Sequence, residues 1–378
     1  MSEAFSSTRT SAPPSWAMVA AVSAAPPLPT MIASTTRSQR SGRVVSMAIP
    51  QCRRRCVFDD ASSLPSSHPT VPTRGAAGAN SRARSVHDWT RTGGTIMAKT
   101  AIVTGATRGI GRASAIALAR LGYDVAITGR TQNEGDAAKR PEADALPELR
   151  LVSGSLASTA AAIEAEGGRA IPLVLDLLDG ARLQPVAEAA IEALGHVDIL
   201  VNNAIYVGPA GEKRFLETPV DEIEKRLYGN VAAQLIFTQP VLRHMVARGS
   251  GIIANVTSGA GYNAPFAAIG DGGWALTYGV SKAGLNRIAE QLVVEHASDG
   301  LRFYNLQPGA VATERVLAAG EKLAFVAKHA APVERIGEAI ARILTGPSAA
   351  FMNGETIEVQ DVARDWGILP ARPARGAR

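Results

Sequence analysis

From position 99 onward, short runs of β-branched and apolar residues alternate with Ala-rich stretches of helical period. This is the pattern of strands buried on both faces and joined by crossover helices. The runs predict strands over residues 100–104, 124–128, 170–175, 198–201, 251–256, 302–306 and 355–359. Between the first two, Ile110, Ala113, Ala117 and Leu121 recur at helical spacing and predict the buried face of a helix. Gly122 suits the left-handed position just past its end. Residues 131–168 exceed what one crossover helix requires and contain Pro141 and Pro147, so they read as a surface insertion leading into a helix near 158–166. The pattern as a whole predicts an α/β fold: a single doubly wound domain with a seven-stranded parallel sheet and helices on both faces.

Residues 1–96 do not share this pattern. They are dense in Ser, Thr, Pro, Ala and Arg and hold eleven Arg, no Lys and four acids, whereas residues 97–378 hold 28 basic and 30 acidic side chains. The basic balance of the chain therefore belongs to its first segment, which reads as a disordered basic leader ahead of a domain over 97–378. An upstream extension from a mis-assigned start, with Met97 as the true one, is the preferred reading. An organelle transit peptide, a secretory signal with residues 17–25 as its apolar stretch, and a basic arm for nucleic acid are the others. The arm has the least support, because the arginines are scattered and the cluster at Arg53, Arg54 and Arg55 lacks an aromatic platform, so no nucleic-acid partner is expected. The richest early apolar stretch, 16–33, is broken by Pro26, Pro27 and Pro29 and falls short of the roughly 18–20 residues of a membrane span. Cysteine occurs only at Cys52 and Cys56, too few for a disulfide scaffold, and the expectation is a cytoplasmic protein.

Directly after the first strand comes Thr104-Gly105-Ala106-Thr107-Arg108-Gly109-Ile110-Gly111, a glycine turn opening into a helix. Glycine lets the backbone approach a pyrophosphate, whose charge is met by free N–H groups at the helix start. This predicts a Rossmann-type dinucleotide site built by Thr104, Gly105, Thr107, Arg108, Gly109, Ile110 and Gly111, although the spacing is G-x-x-x-G-x-G. The acid that usually closes the second strand to hold a ribose 2′-hydroxyl is replaced by Gly129-Arg130. Arg130, helped by Arg108, suits a 2′-phosphate, so the expected cofactor is NADP(H) with NAD(H) as the alternative. Asp176 and Leu177, at the end of the third strand, stand where an adenine would be bounded; a turn-forming role for Asp176 competes with that reading.

Tyr278-Gly279-Val280-Ser281-Lys282 puts a phenol and an ammonium one helical turn apart, and a neighbouring positive charge favours the phenolate. With the glycine turn, Asn202-Asn203-Ala204 after the fourth strand and Asn255-Val256-Thr257-Ser258 ending the fifth, the ordered set resembles the classical short-chain dehydrogenase/reductase family over about residues 99–360. The resemblance implies Tyr278 as general acid-base, Lys282 as its activating and ribose-binding partner, Ser258 as the hydroxyl orienting the substrate carbonyl, and Asn230 as the support of a water-linked proton relay. It further implies cofactor contacts from Asn203, Ala204, Tyr278 and Lys282. Pro308, Gly309, Val311 and Thr313 would add contacts at the nicotinamide end.

Three departures stand out. Ile205 replaces the usual Gly after Asn202-Asn203-Ala204. Ser258 and Tyr278 are 20 residues apart, so an inserted loop over 259–277, with Phe266 and Trp274, must arch over the site, and either Thr257 or Ser258 points inward. The C-terminal Gln360-Asp361-Val362 lacks the common Asp-Gly-Gly close. The expected function is hydride transfer between a nicotinamide and a carbonyl or secondary alcohol of a small-molecule substrate. Aliphatic or cyclic ketones, steroids, sugars and thioester-linked 3-oxoacyl groups all stay open. A dinucleotide-sensing protein without catalysis is the competing class, and it has no need for Asn230, Ser258, Tyr278 and Lys282 together. Family members commonly pair through long helices, here 220–246 and 278–297, which predicts a homodimer or homotetramer. No metal is expected, since His196, His244, His296 and His329 are dispersed.

Overall fold

In the computed structural model, residues 98–139, 152–208, 213–269 and 271–372 are described, all within the unit Asp88–Arg378. The leader over 1–96, and with it the transit, signal and basic-arm readings, lies outside them, as do Pro141 and Pro147 of the first insertion.

The apolar run after Ala98 forms β1 (Lys99–Val103), and the glycine turn delivers the chain into α1 (Gly109–Arg120). The next βα units are β2 (Tyr123–Gly129) with α2 (Leu156–Ala165), and β3 (Ala170–Val174) with α3 (Gly180–Leu194). Then come β4 (Ile199–Asn202), α4 (Val220–Leu227), α5 (Ala233–Arg248), β5 (Gly251–Val256), α6 (Leu276–Glu295) and β6 (Leu301–Gln307). After an excursion through β7 (Val311–Ala312), α7 (Glu314–Ala318), α8 (Ala324–His329) and β8 (Ala331–Pro332), the chain forms α9 (Val333–Thr345), β9 (Thr356–Glu358) and α10 (Val359–Asp365).

The large sheet has seven strands in the order β3-β2-β1-β4-β5-β6-β9, every pair parallel. This is the doubly wound arrangement expected from the alternation. Alternate strand residues face opposite layers: Ala101, Val103 and Ile199 pack with α1, α2 and α9, while Ile102, Leu200 and Ile253 pack with α3, α5 and α6. The order reverses between β1 and β4, so the loops after these two strands diverge and leave a crevice at the carboxyl ends, where ligands of such sheets bind.

Three expectations are corrected, and one feature is new. Of the predicted face Ala117 is buried but Leu121 is 41% exposed, and α1 is buried further along Ser114, Ala115, Leu118 and Ala119, because α2 and α9 cover it on two sides. The helix near 158–166 starts earlier, at Leu156, because Ser155 and Ser158 form a reciprocal capping box. The span 220–246 is not one α-helix: a π turn, Tyr228–Ala232, separates α4 from α5. A second, two-stranded parallel sheet of β7 and β8 closes the excursion after β6, built from runs too short to show a strand period. Gly122, at φ +83°, does end α1 as its left-handed residue.

Candidate functional site

At the crevice, Thr104 and Asn203 join the end of β1 to the end of β4. The Thr104 hydroxyl accepts from the backbone N–H groups of Asn203 and Ala204 at 3.0 Å each, and the Asn203 amide donates to the carbonyls of Thr104 and Gly105 at 2.8 and 3.1 Å. Gly105 and Gly109 adopt φ of +66° and +59°, which β-carbon sterics disfavour. A β-carbon at Gly111 would collide with the Asn203 amide and the Gly105 carbonyl. Thr104, Gly111 and the Asn203 amide thus shape the turn from behind. Gly105, Thr107, Arg108, Gly109 and Ile110 line a cleft of about 330 Å³ in front of it.

Arg130, Asp176, Leu177, Asn203, Ala204 and Thr313 line the same cleft, as do Ile205, Tyr206 and Val207. Arg108 donates through Nη2 to the Gly154 carbonyl at 3.0 Å, and its Nε is buried with no hydrogen-bond partner among the described residues. Burial lowers its pKa. Arg130 Nη1 stands 3.6 Å from Asp176 Oδ2, while Asp176 Oδ1 accepts from the Leu178 N–H at 3.0 Å. Asp176 therefore makes the turn and also faces an arginine. The cradle of positive-φ glycines and the orphaned guanidinium N–H fit a ligand that brings anionic oxygens into this cleft.

Asn230, Ser258, Tyr278 and Lys282, which the resemblance implies for proton transfer, are placed by the π turn, the end of β5 and α6. Asn230 sits in the π turn, a distortion that frequently marks functional helices. Its Oδ1 accepts from the Tyr206 N–H at 2.7 Å, and its Nδ2 donates to Ser281 Oγ at 3.2 Å. Ser281 in turn donates to the Tyr278 carbonyl at 2.9 Å, so Asn230 is tied to the first turn of α6. Lys282 is buried on that helix, its Nζ donating to the Val256 carbonyl at 2.9 Å, and burial lowers its pKa to about 8. Tyr278 is half-buried one turn before it. The Thr257 hydroxyl donates to Asn286 Oδ1 and is fully buried, whereas Ser258 is half-buried and its hydroxyl accepts from the Ala260 N–H at 3.3 Å. Of the two adjacent residues, only Ser258 keeps part of its surface exposed.

Pro308, Gly309 and Val311 follow β6 without lining the cleft. Gln360 Nε2 donates to the carbonyls of Pro308 and Ala310 at 3.0 and 2.8 Å. Glu358 accepts from Tyr262 at 2.5 Å and from Gln307 at 2.9 Å, linking the loop after β5 to the end of β6. Desolvation first, then Glu358, raises the Tyr262 phenol above its ordinary range. In the loop over 259–277, Phe266 is 75% exposed and meets the Trp274 ring edge-on at 5.8 Å. The contacts of Glu314, Asn286, Glu358 and Gln360 were not legible in the sequence. Each acts across a long loop, and the missing Asp-Gly-Gly close was the one signal pointing at Gln360. Among the described residues no three acids, histidines or cysteines gather as a metal site, and no helix is long and apolar enough to cross a membrane.

Known proteins resemble this chain over the fold that carries the crevice. Residues 99–150 and 149–324 match a family model described as short chain dehydrogenase. A 3-oxoacyl-[acyl-carrier-protein] reductase of Synechocystis is 29% identical over 268 residues, 70% of this chain and 96% of the relative. An L-rhamnose 1-dehydrogenase (NAD(P)(+)) of Sphingomonas is 32% identical over 217 residues, 57% of this chain and 74% of the relative. Among solved structures, a short chain dehydrogenase of Burkholderia cenocepacia in complex with NADP superposes with a TM-score of 0.54 at 27% identity, covering 68% of this chain and 95% of the other.

Proposed function

Because the chain belongs to the short-chain dehydrogenase family, whose members act on CH–OH and C=O groups, we propose that it is an NADP(H)-dependent oxidoreductase of a small carbonyl or secondary alcohol substrate. The observation that carries the cofactor choice is the pair of arginines, Arg108 and Arg130, on a cleft where β2 ends in glycine instead of an acid. Guanidinium groups match a 2′-phosphate by charge and by their fork of donors. The Arg108 Nε, which has no hydrogen-bond partner among the described residues, is a donor that such an oxygen would satisfy. A second reading, preference for NAD(H), draws on Asp176 standing 3.6 Å from Arg130, since that carboxylate offsets one of the two charges.

When bound, the nicotinamide supplies or accepts the hydride. The chain's own residues handle the proton and the oxygen. Tyr278 donates its hydroxyl proton to the carbonyl oxygen in reduction and recovers it from the alcohol in oxidation. Ser258 holds the same oxygen by a second hydrogen bond as negative charge develops on it. Lys282, protonated at neutral pH even with its lowered pKa, favours the Tyr278 phenolate by its charge. Asn230 supports the proton path and fixes the start of α6 through Ser281. The Phe266–Trp274 pair gives the substrate side an apolar wall. For assembly the same reading gives a homodimer or homotetramer, with the groove along Leu235, Leu242 and Leu292 as its apolar face. It takes the protein to be cytoplasmic.

Fluorescence titration with NADPH and NADH tests the cofactor choice: tighter NADPH binding is expected, and tighter NADH binding would move the conclusion to the second reading. Tyr278→Phe is expected to lower turnover by about two orders of magnitude or more while leaving dinucleotide binding intact. Wild-type turnover in that variant would remove the tyrosine from the reaction.

A further inference from the structure

The first N–H group of α1 meets an anion supplied by the chain itself. Gly109 N–H donates to Glu314 Oε2 at 2.9 Å, across 205 residues of sequence. The residue ahead of α1, Arg108, makes no side-chain cap, and the first turn of α1 holds no acid, so Glu314 takes the place a cap would fill. It comes from the start of α7, where Thr313 accepts from the Val316 N–H and presses its methyl group toward Gly109. Both Glu314 and Gly109 line the cleft, so the carboxylate joins its two walls.

A helix N-terminus carries about half an elementary positive charge and binds one anion well at its free N–H groups. A pyrophosphate brought to the glycine turn needs the donor that Glu314 holds, and the two negative groups repel each other. Arg108 is also within the field of Glu314, which offsets part of the positive charge the cleft offers to a phosphate. We propose that Glu314 is a built-in competitor of the dinucleotide pyrophosphate, a latch that holds the start of α7 on the glycine turn and is displaced when the cofactor binds. The inference rests on the reading that this cleft takes a dinucleotide.

The test is equilibrium titration of the full chain and of Glu314→Gln with NADPH and with NADH, at low ionic strength where charge effects are largest. Glutamine keeps the length of the side chain and removes its charge. The variant is expected to bind both dinucleotides about five- to tenfold more tightly, because the pyrophosphate is common to the two. Glu314→Ala, which also removes the hydrogen bond, should show the same sign. Equal or weaker binding by variants that melt like the wild type overturns the latch and leaves the dinucleotide site standing. Tightening confined to NADPH also overturns it, since it would locate the effect at the 2′-phosphate. Absence of saturable binding in wild type and variants alike removes the dinucleotide reading and the latch with it.

Discussion

Lys282 is the residue whose chemistry depends most on where it is buried. The residue is 5% exposed, its ammonium donates to a backbone carbonyl, and desolvation lowers its pKa from 10.5 to about 8. An unfolded chain binds that proton up to about pH 10.5 while the folded one releases it from about pH 8, so in this window the unfolded state holds more protons. The burial cost is thus fully present below pH 8 and disappears as pH rises toward 10.5. Urea denaturation of the wild type and of Lys282→Met across this window should give a stability difference that favours methionine near pH 7.5 and shifts toward the wild type as pH rises. A difference that stays flat between these limits would show that the lysine is not desolvated. The spacing of Tyr278 and Lys282 was legible because it is local, one turn of one helix. The assignment of Thr257 to Asn286 was not, because the two lie 29 residues apart and adjacent hydroxyls on a strand end look alike in sequence.

At the scale of elements, glycine meant one thing inside a helix and another at a helix end. Gly337 of α9 faces Ala113 of α1 so closely that an added β-carbon would lie 2.5 Å from the Ala113 carbonyl carbon and 2.6 Å from its Cβ. Two backbones in van der Waals contact cannot yield to a methyl group as a flexible side chain would. Gly337→Ala is expected to cost about 1–3 kcal/mol through overpacking. Gly122 has nothing within 4 Å, so Gly122→Ala is expected to cost only the strain of its φ of +83°, about 1–2 kcal/mol. Thermal or urea unfolding of the pair checks this, with the α1–α9 contact refuted if the Gly337 variant melts like the wild type. The seven strands of the large sheet were readable from their apolar runs, and Gly122 from its place after a periodic helix. The π turn was not, because Tyr228–Ala232 continues a helical composition on both sides and its extra residue has no compositional mark. β7 and β8, two residues each, lie below the length at which alternation can be seen.

Across the whole molecule, three buried asparagines stand in register on neighbouring strands: Asn202 opposite Asn255, and Asn255 opposite Asn305. Asn202 Nδ2 donates to Asn255 Oδ1 at 3.0 Å, and Asn305 Nδ2 donates to the Asn286 carbonyl at 2.9 Å, so the row reaches from β4 to α6. All three are at most 1% exposed, and removing the middle amide strands polar groups on both sides. Asn255→Leu is expected to destabilise by about 2–3 kcal/mol, read as a lower urea midpoint with an unchanged slope. A variant as stable as the wild type would show that the row contributes nothing. The sheet order has a further consequence for how the protein is made. β1 is the first strand of the sheet to be synthesised, yet it lies between β2 and β4, and its pairing with β4 waits about a hundred residues. The loops after β5 and β6 are tied by Glu358 and Gln360, which emerge some fifty residues after the second loop. A nascent chain paused on the ribosome near residue 350 therefore already carries every described residue that lines the cleft, and the Ala331 N–H that holds the Ala310 carbonyl, but it still lacks the ties from Glu358 and Gln360, which arrive only with the last strand and the helix that follows it.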